Sequence, residues 1–365
     1  MDGFKTNKGF KSDFDKINIA LSNPAVLKVF SFIADNFSQV KINEYVNEKL
    51  KEKDFLYSYQ KQPNPMQSWT QFHWDVAFWL CFGTAYIYEV KNVWYCLNPV
   101  RMDLTSSQRK MFQRLYFSET NKNKTIKGDF KYNNEDGSTS YLKLENLTVL
   151  TDLSNSLSGD WFKGTSRLDA LYQVVINSDL SLTAKNRNLF FTTKFMISGE
   201  HNESDQYSQP MSDDEKDGVS KMLKSNQEIF ASKKRMNVNQ LVSNLSALKL
   251  DESYIADLTI IANMYGINKD VLDIIIKGST FENKEKSFGS FVDYTLMPKV
   301  VQLTDLYEIK LNKEDLRGSF KHLPFNQIFE AEKIKNREIE MKALKIAKEL
   351  GMDVTEQLKR IYEEY

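Results

Sequence analysis

The spacing of apolar positions changes several times along the chain, and each change marks an element. Asn23-Pro24 combines a capping side chain with a proline suited to the first helical position. Val26, Val29, Phe30, Ile33 and Phe37 then recur with helical spacing, which predicts one amphipathic helix. Pro63-Asn64-Pro65 precedes a second helix, with Ser68 near its start. Trp69, Phe72, Trp74, Val76, Phe78, Trp79 and Phe82 occupy most of its circumference, so burial on several sides is expected, and Gly83 ends it. The pattern then favours strands: Thr84 to Val90 and Val93 to Leu97 read as a hairpin joined by Lys91-Asn92. β-character continues to about residue 150, punctuated by turn residues at Asn121 to Lys124 and Asn133 to Gly137. From Ser166 the chain becomes mostly helical, with one helix over Arg167 to Phe191, a strand at Phe195 to Gly199 and a polar loop to Pro210.

Ser212-Asp213-Asp214-Glu215 is a capping box with acidic residues where the helix dipole favours them. Val219, Met222, Leu223, Ile229 and Phe230 carry the helix onward to Lys233-Lys234-Arg235, about twenty residues or roughly 30 Å. Asn237 to Leu250 alternates and predicts short strands. Asp251 caps a further helix bearing Ile255, Leu258, Ala262 and Tyr265, with Gly266 as its stop. A short turn over Asn268 to Asp273 leads to Ile274-Ile275-Ile276, and Lys277-Gly278-Ser279-Thr280 reads as an exposed loop. Asn283 restarts a helix through Phe288, Phe291, Val292, Thr295 and Leu296, and Pro298 inside that pattern should kink it. A charged amphipathic helix follows from Ile328 to Leu350, and Asp353 with Glu356 opens a last one. The fold class is α+β.

Composition narrows the function. Hydrophobic residues make up 41% of the 365, and 49 basic residues cancel 49 acidic ones, so no large field draws the molecule onto nucleic acid. Histidine occurs only at positions 73, 201 and 322, without metal spacing, and there is no Cys-x-x-Cys, Walker loop or Gly-x-Ser-x-Gly elbow. Neither metal nor cofactor is expected, and no enzyme activity. His73 reads as a structural histidine; Cys81 and Cys96 read as buried free thiols. Asp213-Asp214-Glu215 is explained by capping better than by metal binding. Lys233-Lys234-Arg235 suits either a nucleic-acid patch or a helix end that compensates the dipole. Met1 to Ser12 is too polar for a signal peptide, and Trp69 to Tyr88 is interrupted by His73, Asp75 and Gly83, against a membrane span.

Several stretches, in order, resemble the portal proteins of tailed phages with the HK97-type fold. Pro63-Asn64-Pro65, the aromatic helix and Phe82-Gly83-Thr84-Ala85-Tyr86-Ile87 are similar to the family's Pro-Asn-Pro, helix and Gly-Asn-Ala-Tyr strand, with Thr84 in place of the usual Asn. Leu97-Asn98-Pro99-Val100-Arg101 resembles its Leu-x-Pro-x-x-Val segment. Gly164-Thr165-Ser166-Arg167-Leu168 resembles the Gly-x-Ser-Pro-Leu turn, with Arg167 where proline is typical. Ile260 to Ile267 and Val271-Leu272 resemble Ile-Ala-x-x-Phe-Gly-Val-Pro-Pro-x-Leu-Leu, with Asn268-Lys269 replacing both prolines. Thr280-Phe281-Glu282-Asn283 and Phe291 to Pro298 resemble its Asn-x-Glu and Thr-Leu-x-Pro.

The resemblance implies a wing (residues 1–211 and 286–322), stem helices (212–232 and 251–265), a small β clip (233–250), a tunnel loop (274–285) before a long kinked helix, and a short helical crown (323–365). It implies a cyclic homo-oligomer of about twelve copies at one capsid vertex, which nucleates head assembly and passes double-stranded DNA without reading its sequence. Expected partners are the major capsid protein, the terminase large subunit and a head-completion adaptor, with no membrane. The protein would reside in the virion, and in the host cytoplasm during assembly. Lys277, Gly278, Ser279 and Thr280 would line the channel; Lys233, Lys234, Arg235, Asn237 and Asn239 would dock partners on the clip. The rival readings are another phage head structural protein, or a nucleic-acid enzyme whose site forms no visible motif.

Overall fold

The computed structural model describes residues 10–103, 129–153, 162–192, 195–199, 236–240, 250–277 and 285–323, with scattered positions within 212–221 and 339–345. The chain opens on α1 (Asp13–Ser22), which the sequence reading did not anticipate; Ser12 caps it by accepting the Asp15 N–H at 3.1 Å. Asn23 follows and caps α2 (Pro24–Phe37), accepting from the N–H groups of Ala25 and Val26 at 2.9 and 3.2 Å. Its amide also donates to the Val175 carbonyl at 3.1 Å, so one buried side chain starts a helix and ties it to another far along the chain. The bend between α1 and α2 is 93°, and among the described residues no single helix is long and apolar enough to cross a membrane.

The predicted stripe of α2 (Val26, Val29, Phe30, Ile33 and Phe37) is fully buried. Each such side chain contributes on the order of 1.5–3 kcal/mol of hydrophobic stabilisation. It packs on α4 (Trp69–Cys81), which follows the short α3 (Phe55–Tyr59). Ser68 and Gln71 form a reciprocal capping box at the start of α4, as the position of Ser68 led one to expect. Phe72, Val76, Ala77, Phe78, Leu80 and Cys81 are buried, while Trp74 and Trp79 lie half-buried. The Trp74 indole N–H donates to Asp35 at 2.7 Å, which satisfies the polar edge of a ring otherwise stacked on Phe78.

Three small antiparallel sheets surround these helices, and a two-stranded ribbon completes the sheet inventory among the described residues. In the first sheet β1 (Lys41–Val46) lies between β2 (Lys49–Glu52) and β11 (Leu316–Ser319). In the second, β3 (Thr84–Val90) lies between β4 (Val93–Leu97) and β8 (Leu147–Thr151). Lys91 and Asn92 both take positive φ, the geometry a two-residue hairpin loop demands, as do Asn47 and Glu48 between β1 and β2. The third sheet orders β5 (Met102–Asp103), β6 (Asp129–Asn133) and β7 (Thr139–Lys143). It has its own small core of Tyr86, Met102, Phe130, Leu142 and Leu147.

The helical half begins with α5 (Arg167–Ala170) and α6 (Tyr172–Thr192), close to the single helix predicted there. β9 (Phe195–Gly199) follows, as expected. Its partner is β10 (Met236–Gln240), in the register Met236↔Gly199 to Gln240↔Phe195. The strand expected near 237 therefore exists and pairs with β9, while the rest of the strand region expected over 233–250 lies outside the described residues. Alternation identifies a strand without saying which strand it meets. α7 (Leu250–Met264) returns alongside α6.

A second correction concerns Asn268 to Asp273. Asn268 is a cap, accepting from the Val271 N–H at 2.9 Å, and α8 (Lys269–Lys277) runs straight through the isoleucine triplet. Residues 274–277, expected to open a loop, are helical because Val271 and Leu272 continue the buried face on which the turn was placed. After α9 (Glu285–Phe291) the helix widens into a π segment (Val292–Leu296) and resumes as α10 (Met297–Leu311). The Met297 N–H reaches back five residues to Val292, and the wider turn sits just where Pro298 lacks a donor and would crowd the preceding carbonyls.

Candidate functional site at the junction of the helices

Gly83 ends α4 at φ +104°, and a Cβ there would lie 2.9 Å from the Ser166 backbone nitrogen. Only glycine permits both the left-handed turn and this approach. The turn at Gly164 to Leu168 therefore sits against the turn at Phe82 to Thr84. The Thr84 hydroxyl accepts the Gly164 N–H at 2.9 Å, so Thr84 supplies the side-chain acceptor at this turn. Ser166 caps α5 and also donates to the Cys81 carbonyl at 3.4 Å. The Tyr265 hydroxyl donates to that same carbonyl at 2.7 Å, satisfying an acceptor that the end of α4 would otherwise leave orphaned.

Asp152, just past β8, lies at the centre. Its N–H donates to the Gly83 carbonyl at 3.0 Å and its side chain is wholly buried. One carboxylate oxygen accepts from Arg167 Nε at 2.8 Å, and the other pairs with Lys299 Nζ from α10. Arg167 also donates to the Met264 carbonyl at 2.9 Å, placing a cation at the negative end of the α7 dipole. Its guanidinium stands 5.8 Å from the centre of the Tyr265 ring. Thr295, in the π segment, donates to the Gly266 carbonyl at 3.1 Å. One buried anion thus fastens the ends of α4, β8, α5, α7 and α10 together.

Burial pushes the Cys81 thiol up to about 12 and the Tyr265 phenol well above its ordinary range, so both stay neutral and neither offers a nucleophile. His73, on α4, is buried against Trp69, Phe72 and Tyr307, with Nε2 2.9 Å from the Tyr307 hydroxyl. Desolvation brings it down to about 3, which fits a neutral structural histidine. A cavity of about 250 Å³ opens beside α1, lined in part by Asp13, Lys16, Thr84, Asp103 and Lys163. Its cations are matched: Lys163 lies 2.5 Å and Lys16 3.6 Å from Asp13, and Lys16 lies 2.6 Å from Asp169. Among the described residues no group of three or more His, Cys, Asp or Glu is placed to hold a metal ion. The junction's chemistry is that of a mechanical clamp.

The residues singled out in the sequence fall elsewhere. Lys277 is the last residue of α8, while Gly278, Ser279 and Thr280 lie outside the described residues. Lys233, Lys234 and Arg235 lie outside them too; Asn237 and Asn239 stand on β10 opposite Ser198 and Met196. Asp213 and Asp214 have helical backbone, in keeping with the capping reading. Asp152 and Lys299 escaped the sequence reading because nothing local marks them. Their only signal was proximity to Thr84, Arg167 and Pro298, the departures and landmarks of the motifs they join.

The sequence model for the phage portal protein family matches residues 24–338. No protein with a curated description matches the chain. Among solved structures, the chain is similar to the neck of a native gene transfer agent particle computed with C12 symmetry. The identity is 11% and the TM-score 0.62, over 90% of this chain and 89% of that one. It is similar to a chain in the virion of the native gene transfer agent at 11% identity and TM-score 0.60, over 88% of each. It is also similar to an HK97-family phage portal protein from Corynebacterium diphtheriae, at 12% identity and TM-score 0.51, over 87% of this chain and 99% of that one. At these identities the structures speak to fold alone, and all three share the fold described here. With a family match across most of its length, the chain belongs to the phage portal protein family.

Proposed function

We propose that the protein is the ring-forming portal subunit at one capsid vertex, through which double-stranded DNA enters and leaves the head without sequence readout. The observation that carries this reading is the family match over residues 24–338. The C12 and C6 symmetries of the similar gene transfer agent necks support a closed ring, with twelve copies as the working number. The large terminase subunit, a head-completion adaptor and the major capsid protein are the partners this role requires, in the virion and, before that, in the host cytoplasm.

The first stem helix expected at 212–232 lies mostly outside the described residues; the antiparallel pair α6 and α7, which adjoins the β9–β10 ribbon, favours Tyr172–Thr192 in its place, with Leu250–Met264 close to the second expected at 251–265. The clip then begins at the ribbon and includes Asn237 and Asn239, together with Lys233, Lys234 and Arg235. The segment between Lys277 and Glu285, with Gly278, Ser279 and Thr280, becomes the tunnel loop. The wing comprises the remaining body up to His322, and 323–365 the crown.

The test is the mass and shape of the purified full chain. A closed ring with an axial opening in negative-stain images, at a mass near twelve subunits, is expected. A strictly monomeric species at high concentration and moderate salt would overturn the reading, because a portal monomer cannot enclose a duplex.

A further inference from the structure

α10 buries one side in the ordinary way. Val300, Leu303, Leu306 and Tyr307 are closed off from solvent, with Val300 against Gly318 of β11 and Tyr307 against His73 and Trp69 of α4. A helix packed on one side normally turns polar residues outward. Here the outer line, from the π segment through α10, is Tyr294, Pro298, Val301, Asp305 and Ile309. Their helical spacing sets them on one face over roughly 22 Å. Tyr294 is 83% exposed, Ile309 80% and Val301 49%. Single apolar side chains on a surface are ordinary, but a line of them along one helix marks a contact surface. The exposed charges beside it, Asp293 and Asp305, are acidic. Lys299 is buried against Asp152, and Lys310 reaches the Glu145 carbonyl at 3.0 Å.

A second exposed apolar surface surrounds the 93° bend between α1 and α2. Phe14 and Leu21 lie two turns apart on the outer face of α1, and Leu27 stands in the first turn of α2 beside Lys28. All four side chains are exposed. The acidic groups of α1 are already engaged: Asp13 pairs with Lys163 and Lys16, and Asp15 accepts the Lys11 N–H at 3.1 Å. The charge presented beside Leu27 is therefore that of Lys28. α1 packs on α2, α2 packs on α4, and α4 meets α10 through Tyr307. The bend and the α10 line thus occupy different flanks of the body.

We infer that these two surfaces are the two halves of one contact between neighbouring copies of this chain. The α10 line of one copy seats against the α1–α2 bend of the next, with Asp305 facing Lys28. The inference rests on the ring proposed above. A closed ring joins its copies head-to-tail, so every subunit presents two unlike surfaces that fit one another. An apolar line with acidic residues and an apolar bend with a basic one meet that requirement, whereas pairing the α10 line with itself would bring acidic surfaces together. Tyr294 and Phe14 supply the large aromatic side chains that subunit contacts favour.

Two experiments on the full-length chain test it, both at exposed positions. Leu27→Cys and Val301→Cys together in one chain, treated with a short bismaleimide, should give a ladder of linked species up to the full ring. Each single variant should give none. The unaltered chain, in which Cys81 is buried and Cys96 half-buried, sets the background. Asp305→Lys and Lys28→Glu should each raise the concentration at which half the subunits are in rings about tenfold, and combining them should bring it back to within about threefold of the unaltered chain. Linked dimers from a single cysteine variant would mean that like surfaces meet, and would overturn the inference. An intact ring without the ladder, or charge changes that do not compensate, overturns the contact and leaves the ring standing, with the α10 line given to another partner or another part of the chain. An unaltered chain that stays monomeric overturns the ring and the contact together.

Discussion

Asp152 carries one negative charge between two cations in a place closed to water, and that geometry fixes what its loss should do. Removing one member of a buried ion pair leaves uncompensated charge, which costs about 3–5 kcal/mol. Asp152→Asn should therefore lower the unfolding free energy by about that amount in urea titration, since Lys299 and Arg167 are left facing each other. Combining Asp152→Leu with Lys299→Met should recover part of the loss, because Arg167 can still hold the Met264 carbonyl. Equal stability of Asp152→Asn and the unaltered chain would show that the junction is not a clamp. His73 gives a pH signature of defined sign. Its folded value is depressed to about 3 from 6.5, so the unfolded chain binds the extra proton first as pH falls. The stability associated with neutral His73 is complete above pH 6.5 and is lost at about 1.4 kcal/mol per pH unit between there and about pH 3. His73→Phe should flatten that part of the profile while costing about 1–3 kcal/mol at pH 8, where the Tyr307 hydroxyl loses its partner. An unchanged acid slope in this variant would remove His73 from the account.

Among elements, what the sequence disclosed depended on how local the determining chemistry is. Asn23-Pro24 and Ser68 announced α2 and α4 because capping acts within one turn, and Lys91-Asn92 announced the β3–β4 hairpin because two residues set its geometry. The sheet of β11, β1 and β2 gave no such notice. Leu316 pairs with Glu44 from the other end of the chain, and β1 is too short and polar to stand out alone. The same holds for β9 and β10, each legible as a strand but not as a pair, and for the ion pair between Asp152 and Lys299. The start of α8 was read as a turn because Asn268 suits a turn as well as a helix cap, and only the Val271 N–H it accepts distinguishes the two. The motifs, in contrast, marked the site better than chemistry did, since Gly83, Ser166, Tyr265 and Thr295 all touch the junction. Arg167 tests that reading. It occupies the first position of α5, where proline is favoured. Arg167→Pro should preserve α5 yet reduce stability by about 1–3 kcal/mol, as the bonds to Asp152 and the Met264 carbonyl are lost. Because Lys299 still pairs with Asp152, the loss should be smaller than that of Asp152→Asn. A variant more stable than the unaltered chain would mean that arginine contributes nothing beyond what proline supplies.

At the scale of the whole molecule the balance of 49 basic against 49 acidic residues agrees with the proposed role. Each phosphate neutralised by a protein cation releases counterions, and a duplex held at many points along a channel would not slide. A ring multiplies every channel-facing charge by its subunit count, so one lysine per subunit already makes a belt of about twelve charges. Lys277 is placed for such a belt if the segment after α8 lines the opening, and its position at the helix end favours a cation there in any case. Lys277→Glu should then leave ring mass and appearance unchanged while reducing the nuclease-protected DNA recovered per particle severalfold. The same change also sets an acid at a helix C-terminus, which costs about 0.3–1 kcal/mol. Lys277→Gln separates the two effects, removing the belt without adding repulsion at the helix end, and should give an intermediate yield. Deleting 237–246 is a poorer probe of the conduit, since it strips β9 of its partner along with any docking surface. Full DNA yield from Lys277→Glu particles with intact rings would place Lys277 away from the channel and leave the sliding surface to other residues.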